Sequence, residues 1–316
     1  MVDLRSLSLK QLRALSAVLK SGSLTQAAQQ LSVTPPAVTT HLKSLESFVG
    51  APLFHRSSEG LAPTEMGREL LRLADEVETV IGIASNRLTA LASGAEGSVV
   101  LGVVSTGKYF APSLVAAFQK ANPRVQVTLA IGNRGEIVSG LERREYDLLI
   151  MGRPPGHIAT ERALLGDHPH VLIAPPDHPL SADNDILPED LMRETFLARE
   201  GGSGTRLLMQ RFLDRVCEGR PVNIVEMGTN ETIKQAVMAG LGVALISAHT
   251  CISELEDGRL AQLRYPGLPL MRQWYLLHRS DQSLTKAAEG FRTFVMEHRQ
   301  TLLPQLNSIT DATNRL

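Results

Sequence analysis

Three short segments rich in hydroxyl groups and glycine follow predicted strands in the C-terminal two-thirds of this 316-residue chain. They are STGK at 105–108, GGSGTR at 201–206 and GTNE at 228–231. Exposed backbone N–H groups, hydroxyls and nearby cations together bind anions. Helix capping explains each segment alone, whereas their convergence in one fold would indicate a binding site. With two further strand ends, they supply the candidate effector-binding residues Ser105, Thr106, Lys108, Asn133, Arg134, Arg153, Ser203, Gly204, Thr205, Arg206, Thr229 and Asn230.

The expected site lies at the carboxyl ends of the strands, near helix N-termini, where open α/β sheets bind their ligands. We expect Thr106 and Thr205 to donate hydrogen bonds from opposite sides. Lys108 and the arginines of the candidate set would supply positive charge. The sequence therefore predicts a site for a small anionic ligand.

Two catalytic motifs are nearly matched, and both are set aside. Residues 102–108 satisfy the first part of a phosphate-binding GxxxxGK loop, but Tyr109 stands where that loop needs a Mg²⁺-binding serine or threonine. Gly102 also falls inside a predicted strand, which leaves the loop too short. Residues 201–205 miss the GxSxG turn of hydrolases because Thr205 replaces the last glycine. No catalytic residue is expected.

Composition predicts a folded protein of about two domains, with 43% hydrophobic residues and a net charge of -1. Cys217 and Cys251 form no CxxC pair and suit small core positions in a reducing cytoplasm. The sequence shows neither a signal peptide nor a membrane span. We expect a cytoplasmic protein without metal or cofactor. Four histidines lack metal-ligand spacing and are expected at the surface or a hinge: His157, His168, His170 and His178.

The first sixty residues predict a helix-turn-helix. Leucines at helical spacing indicate a helix over 8–21, and Ser23 with Gln26 forms a capping box for a second helix over 24–31. Thr34 is expected to cap a third helix, whose first turn holds two prolines. That helix buries Val38, Leu42, Leu45 and Val49, and its opposite face is short, polar and mildly basic: Pro36, Thr39, Thr40, His41, Lys43 and Ser47.

DNA is the expected partner of this polar face, because hydroxyls and a positive helix N-terminus suit phosphates and base edges. Residues 1–62 hold six Lys and Arg against three Asp and Glu, a local charge of +3. A helical bundle with a solvated face is the alternative. Residues 51–60 suggest a small wing.

Residues 64–92 predict one long helix. Its apolar residues step by three and four, which is close to a heptad seam and favours pairing with a second copy of the helix. A core helix of the second domain is the alternative. A dimer would place two recognition helices on half-sites one helical turn apart. Residues 93–97 are expected to break the helix as a hinge, after a seam of Leu70, Leu73, Val77, Ile81, Ala84, Leu88 and Leu91.

From residue 99 the pattern alternates between strand and helix, which implies parallel sheets covered on both faces. Strands are predicted at 99–104, 125–131, 147–151, 170–174, 195–199, 223–227, 243–247 and 273–278. Helices are predicted at 109–121, 203–217, 231–239 and 284–300. About 200 residues of such alternation suit one large sheet or two small lobes.

The N-terminal residues resemble the winged helix-turn-helix of LysR-type regulators. The resemblance is carried by 23–28 (SLTQAA), 31–34 (LSVT), 37–39 (AVT), Leu45-Glu46, Gly50, 53–56 (LFHR), Pro63-Thr64 and Gly67. It implies recognition of the DNA major groove. Many relatives carry arginine or glutamine near His41, so this chain departs from them there. The implied DNA-binding residues are Ser23, Thr25, Thr34, Pro35, Pro36, Thr39, Thr40, His41, Lys43 and Arg56.

The same resemblance implies the fold class α + α/β over nearly the whole chain. We expect a winged helix-turn-helix at 1–63, a linker helix for dimerisation at 64–92 and an effector-binding domain at 97–305. That domain would be a periplasmic-binding-protein-like pair of lobes, lobe I at 97–166 and 270–305 and lobe II at 167–269. The chain would cross near 165–168 and return near 268–272. Dimers that pair into tetramers are implied, with double-stranded DNA bearing an inverted repeat, a small effector and RNA polymerase as partners, and no membrane.

Four further segments look like a narrower group, the LysR-type activators of Calvin-cycle operons. They are 103–118, 33–39, 200–206 and 230–250. The resemblance implies a response to phosphorylated sugars, phosphoenolpyruvate or reduced nicotinamide nucleotide, which agrees with the cationic segments. Two alternatives stay open: an α/β enzyme acting on a phosphorylated metabolite, and a binding module whose DNA-binding head is degenerate.

Overall fold

The structure is a computed structural model that describes residues 7–57, 60–92, 96–183 and 185–304. The chain divides into two compact units, Met1–Ser85 and Asn86–Leu316. Each unit has its own hydrophobic core, and the two are described in turn.

The first unit begins with the three expected helices, α1 (Leu9–Ser21), α2 (Leu24–Gln30) and α3 (Pro35–Val49). The hydroxyl of Ser23 accepts a hydrogen bond from the Gln26 N–H, which is one half of the predicted capping box, while the Ser23 N–H donates to the Ser21 hydroxyl instead of the Gln26 side chain. The prediction for Thr34 is wrong in one respect, because its side chain makes no capping bond. Two prolines in the first turn of α3 lack N–H groups, so little remains there for a capping side chain to satisfy.

The wing follows α3 as an antiparallel pair, β1 (Phe54–Ser57) and β2 (Gly60–Pro63). The two residues of its tip, 58 and 59, lie outside the described part of the chain. The long helix α4 (Glu65–Ala92) then begins. A Cβ atom at Gly67 would stand 2.2 Å from the carbonyl oxygen of Leu53, so α4 can pass this close to the chain only with glycine there.

The apolar seam of α4 divides into a buried and an exposed part. Leu70 and Leu73 pack in the core of the first unit, so this turn is covered by its own chain, although not by the second domain as the alternative had it. Ile81 and Leu88 are 36% and 66% exposed, so the later seam is available to a partner helix. The side chain of Leu91 and residues 93–95 of the expected hinge lie outside the described residues.

The second unit contains two lobes, lobe I with a five-stranded sheet and lobe II with a three-stranded and a two-stranded sheet. The sheet of lobe I has the order β4-β3-β5-β12-β6, with strands β3 (Gly97–Val104), β4 (Val125–Gly132), β5 (Leu148–Met151), β6 (Thr160–Asp167) and β12 (Gln273–Arg279). Helices α5 (Ala111–Ala121), α6 (Arg134–Glu142) and α11 (Lys286–Leu302) belong to this lobe. The rings of Phe118 and Phe291 join α5 to α11, with centroids 4.9 Å apart.

Lobe II is covered on both faces, as predicted. Its strands are β7 (His170–Ala174), β8 (Thr195–Arg199), β9 (Asn223–Met227), β10 (Ala244–Ser247) and β11 (Ala261–Leu263), and its helices are α7 (Pro188–Met192), α8 (Gly204–Val216), α9 (Asn230–Met238) and α10 (Ile252–Glu256). Alternate strand residues enter different cores because side chains of a strand alternate between faces. Phe196 packs in the core that contains α8, whereas Leu197 packs in the core that contains α9.

The prediction of parallel sheets is wrong for part of each lobe. In lobe I, β12 runs antiparallel to both β5 and β6. In lobe II, β7 runs antiparallel to β10 and β11. Both reversals involve strands next to the two connections between the lobes. The chain leaves lobe I after β6 and enters lobe II at β7, and it returns to lobe I just before β12. The paired segments exchange backbone hydrogen bonds, among them His168 N–H to the Arg272 carbonyl at 2.7 Å and His170 N–H to the Leu270 carbonyl at 3.0 Å.

Candidate effector site and DNA-binding face

A cleft of about 680 Å³ lies between the lobes of the second unit. One side is formed where β3 ends in a 3₁₀ turn (Ser105–Tyr109), and the other where α8 begins after Ser203. The structure brings seven of the twelve predicted effector residues together in its wall: Ser105, Thr106, Arg134, Arg153, Ser203, Gly204 and Thr205. The expected convergence of hydroxyls and N–H groups from two lobes is therefore present, and the role of these residues stays a prediction.

The cleft is strongly cationic. Five arginines line it, and no aspartate or glutamate is among its described lining residues. None of the five forms a salt bridge with a carboxylate within the described chain. Unpaired guanidinium groups beside hydroxyl donors bind carboxylates and phosphates, often through two parallel hydrogen bonds. The five are Arg134, Arg153, Arg162, Arg211 and Arg272.

Arg134 and Arg153 are the two cleft arginines that the sequence predicted, and Arg134 is the more buried of them. Its guanidinium donates a short hydrogen bond to the carbonyl oxygen of Arg153. Burial, with the charge of Arg153 as a second cause, lowers the pKa of the Arg134 guanidinium. An anion bound between these arginines would offset both effects, because it supplies the opposite charge.

Five predicted residues lie outside the cleft wall. Two of them are helix caps, Asn133 for α6 and Thr229 for α9, which is the capping role that each segment has by itself. Arg206 is held by Glu226 and by the Arg199 carbonyl. The Lys108 ammonium lies 5.1 Å from the centroid of the Tyr109 ring. Asn230 is buried, and its Oδ1 accepts a hydrogen bond from Arg199.

Sequence reasoning missed three of the five cleft arginines. Arg162 lies on the edge strand β6, Arg211 in the second turn of α8, and Arg272 on the returning segment. None of the three lies in the segments between a strand and the following helix from which the candidate residues were taken. Of the three, Arg211 alone lies two turns into a helix that follows such a segment, and this spacing could have identified it.

Of the four histidines expected at the surface or a hinge, His168 and His170 lie buried beside the crossing, whereas the other two are more exposed. His168 and His170 line the cleft, and the His168 ring stacks on Trp274 with centroids 3.8 Å apart. Burial lowers the pKa of His170 to about 3 and that of His249 to about 4. It also lowers the pKa of His168 well below its usual value, and nearby positive groups add to the effect. All three imidazoles are therefore neutral at pH 7.

The predicted DNA-binding face of α3 is exposed at Thr34, Pro35, Pro36, Thr40 and Lys43, and half-buried at Thr39 and His41. The Thr39 and Thr40 hydroxyls donate to the carbonyl oxygens of Pro35 and Pro36, four residues earlier. With their hydrogens engaged in this way, the two hydroxyls offer acceptors to a partner of this face. Ser23 is half-buried and Thr25 exposed at the start of α2. Arg56 lies in β1, and its side chain is outside the described part.

Other kinds of site find no support in the residues that the structure describes. No group of three or more histidine, cysteine and acidic side chains in these residues is placed to hold a metal. No described helix is long and apolar enough to cross a membrane. Cys217 and Cys251 are free and buried, which confirms them as core residues. Gly102 lies inside β3, as predicted when the GxxxxGK match was set aside.

Comparison with known proteins gives the family. Residues 9–68 match the model of the bacterial regulatory helix-turn-helix protein, lysR family, and residues 92–300 match that of the LysR substrate binding domain. The HTH-type transcriptional regulator CbbR of Cereibacter sphaeroides is 45% identical over 96% of this chain and 99% of its own. The RuBisCO operon transcriptional regulator of Allochromatium vinosum is 39% identical, over 92% of this chain and 95% of its own.

Solved structures agree with this result. The regulatory domain of Synechocystis PCC6803 CcmR, in complex with 2-PG, is 34% identical with a TM-score of 0.61, and the match covers 65% of this chain and 98% of that domain. CbnR, a LysR family transcriptional regulator, is 21% identical with a TM-score of 0.68 over 92% of this chain and 99% of its own, and it shows the same fold. These relatives are transcriptional regulators, which decides against the enzyme alternative. The chain belongs to the LysR family of bacterial transcriptional regulators, in the group of Calvin-cycle operon regulators.

Proposed function

We propose that this protein is a DNA-binding regulator of carbon-fixation genes that senses a phosphorylated metabolite in its cleft. The observation that carries the effector part is the set of five arginines without a carboxylate partner around the cleft. The relatives named as CbbR and RuBisCO operon regulators support the target genes. The CcmR domain in complex with 2-PG supports a small anionic ligand. In this proposal the protein acts on DNA in the cytoplasm, and RNA polymerase is its partner at the promoter.

Different cleft residues would bind different parts of such a ligand. Thr106 and Thr205 are 6% exposed and belong to different lobes, so one ligand between them would join the lobes. Hydroxyls at the start of α8 add to the positive end of that helix. The arginines would neutralise the charge of the anion. A ligand that binds the closed arrangement of the lobes more tightly than the open one shifts the conformational equilibrium toward the closed arrangement.

The effector part is tested by replacing one enclosed arginine. We expect Arg134→Met to lower the affinity for 2-PG about 30-fold to 100-fold in isothermal titration calorimetry, because a charge-assisted hydrogen bond is lost from a half-buried site. Arg124→Met is the matched control, since Arg124 pairs with Glu96 at 2.6 Å on the surface of the same lobe and should leave the affinity unchanged. Equal affinity in wild type and Arg134→Met would exclude the cleft as the site.

The DNA part is tested on the exposed face of α3. Lys43→Ala should weaken binding to all duplexes by a similar factor, because a lysine that contacts phosphate carries no sequence information. The slope of log K against log salt should fall by about 1 in fluorescence anisotropy titrations. Lys20→Ala removes a lysine that lies 3.8 Å from Asp75 and should change the slope little. An unchanged slope in Lys43→Ala would count against this face.

A further inference from the structure

A buried arginine links the two lobes next to the cleft. Arg199 ends β8 of lobe II and is 3% exposed. Its Nη2 donates across to the Oγ of Ser105 in lobe I at 3.1 Å, and its Nη1 donates to the Oδ1 of Asn230 at 2.6 Å. Ser105 lines the cleft, whereas Arg199 is not part of the cleft wall. Among the described residues, the hydrogen bond to Ser105 is the direct link between Arg199 and the cleft wall.

The charge of Arg199 is already satisfied by its neighbour in sequence. Nε and Nη2 donate to the two carboxylate oxygens of Glu200 at 2.6 and 2.8 Å, in a bidentate ion pair. A paired guanidinium attracts a third charge weakly, because the field of the carboxylate opposes its own. Direct attraction of an anion in the cleft is thus a minor role for this residue.

The hydrogen bond from Arg199 fixes how the Ser105 hydroxyl can be used. A guanidinium has donors only, so the Ser105 Oγ must accept in this contact. The hydroxyl hydrogen makes no other hydrogen bond within the described residues, and Ser105 borders the cleft. The serine is consequently held as a donor for whatever occupies that space.

We infer that Arg199 is a positioning residue for the effector: it holds the Ser105 hydroxyl so that its hydrogen is donated to an anionic oxygen of the ligand. This inference rests on the proposed function of the cleft. Because Arg199 and Ser105 belong to different lobes, the hydroxyl is correctly placed only when the lobes meet at this point. Ligand affinity thereby depends on a contact that the ligand itself does not touch.

A double-mutant cycle tests the inference, with 2-PG as the probe and calorimetry of the full chain as the measurement. Ser105→Ala and Arg199→Met should each lower the affinity about tenfold. The double variant should also lose about tenfold, because without the hydroxyl Arg199 has nothing left to position. A loss of about 100-fold in the double variant would mean independent effects and would overturn the inference.

Two further variants separate positioning from charge and from folding. Arg199→Lys keeps the positive charge but cannot bond Ser105, Asn230 and Glu200 together, so it should also lose about tenfold. Full affinity in Arg199→Lys would show that charge alone matters and would overturn the inference. Arg220→Met removes an arginine of the same lobe that lies outside the cleft, 3.7 Å from Glu189, and should bind 2-PG like wild type. Thermal unfolding of each variant without ligand shows whether a loss of affinity for 2-PG is due to misfolding. Arg199→Lys is the more conservative substitution and is less disruptive to the fold than Arg199→Met.

The outcomes also distinguish this inference from the proposed function. If the wild type binds no 2-PG, the proposed effector class is wrong and the role of Arg199 is wrong with it. If the wild type binds 2-PG, Arg134→Met weakens binding and the Arg199 variants do not, the cleft is the site and only the positioning role fails.

Discussion

Ile81→Asp is expected to convert the protein to a monomer and to lower its affinity for an inverted-repeat operator by at least about 100-fold. Ile81 is 36% exposed and lies in the part of the α4 seam that the core of the first unit leaves uncovered. A carboxylate buried in a paired helix seam loses its hydration without gaining a partner. A monomer binds only one half-site. It therefore lacks the high effective concentration at which the second of two linked DNA-binding domains binds the other half-site.

Ile81→Leu is the matched control for this change, because it keeps an apolar side chain of the same size in the seam. Analytical ultracentrifugation and gel-shift titration should show a wild-type oligomer and wild-type DNA affinity for this variant. An Ile81→Asp protein that stays oligomeric and binds the operator normally would show that another surface joins the chains.

Acid should destabilise the second unit well above the pH at which most carboxylates titrate. His170 and His249 have folded-state pKa values of about 3 and about 4, against about 6.5 for an unfolded histidine. Between these limits the unfolded chain binds protons that the folded chain does not, so stability rises with pH. From pH 7.5 to pH 5.0, each of the two histidines should remove about 2 kcal/mol from the free energy of unfolding.

Urea unfolding followed by the fluorescence of Trp274 measures this loss, since Trp274 is the only tryptophan and stacks on His168 in the same cluster. His249→Gln should reduce the change in the free energy of unfolding between pH 6 and pH 5 by about 1.2 kcal/mol. Equal stability at pH 7.5 and pH 5.0 in the wild type would contradict the assignment of neutral buried histidines.

The elements with strong local patterns were predictable from the sequence. Strands β7, β8 and β9 were placed to the residue. Burial between polar turns left few alternatives for β7 and β8, whereas β9 is largely exposed. The strand β6 was missed, since its sequence TERALLGD is mostly polar and it pairs on one side only. Helix α6 was missed because Gly135 and Gly140 and several charges weaken its helical pattern.

The candidate site was predictable in part, for a different reason. Thr106 and Thr205 lie in the segments that follow β3 and β8, so the rule on strand ends places them at one cleft. Arg272 reaches the same cleft only because the chain returns beside the crossing, a pairing between residues about a hundred positions apart. The rule fails for Asn230 because it says which edge of a sheet a residue occupies but not how deep it lies. There the structure buries the amide against Arg199.

The central claim is that one protein both holds an operator and responds to a phosphorylated metabolite. DNase I footprinting of the full chain on the control region of a carbon-fixation operon, with and without 2-PG, tests it most directly. The account predicts protection of an inverted repeat, and a change in the extent of protection when 2-PG is added to the wild type but not to Arg134→Met. Protection that is the same with and without 2-PG in both proteins, or no protection at all, would contradict it.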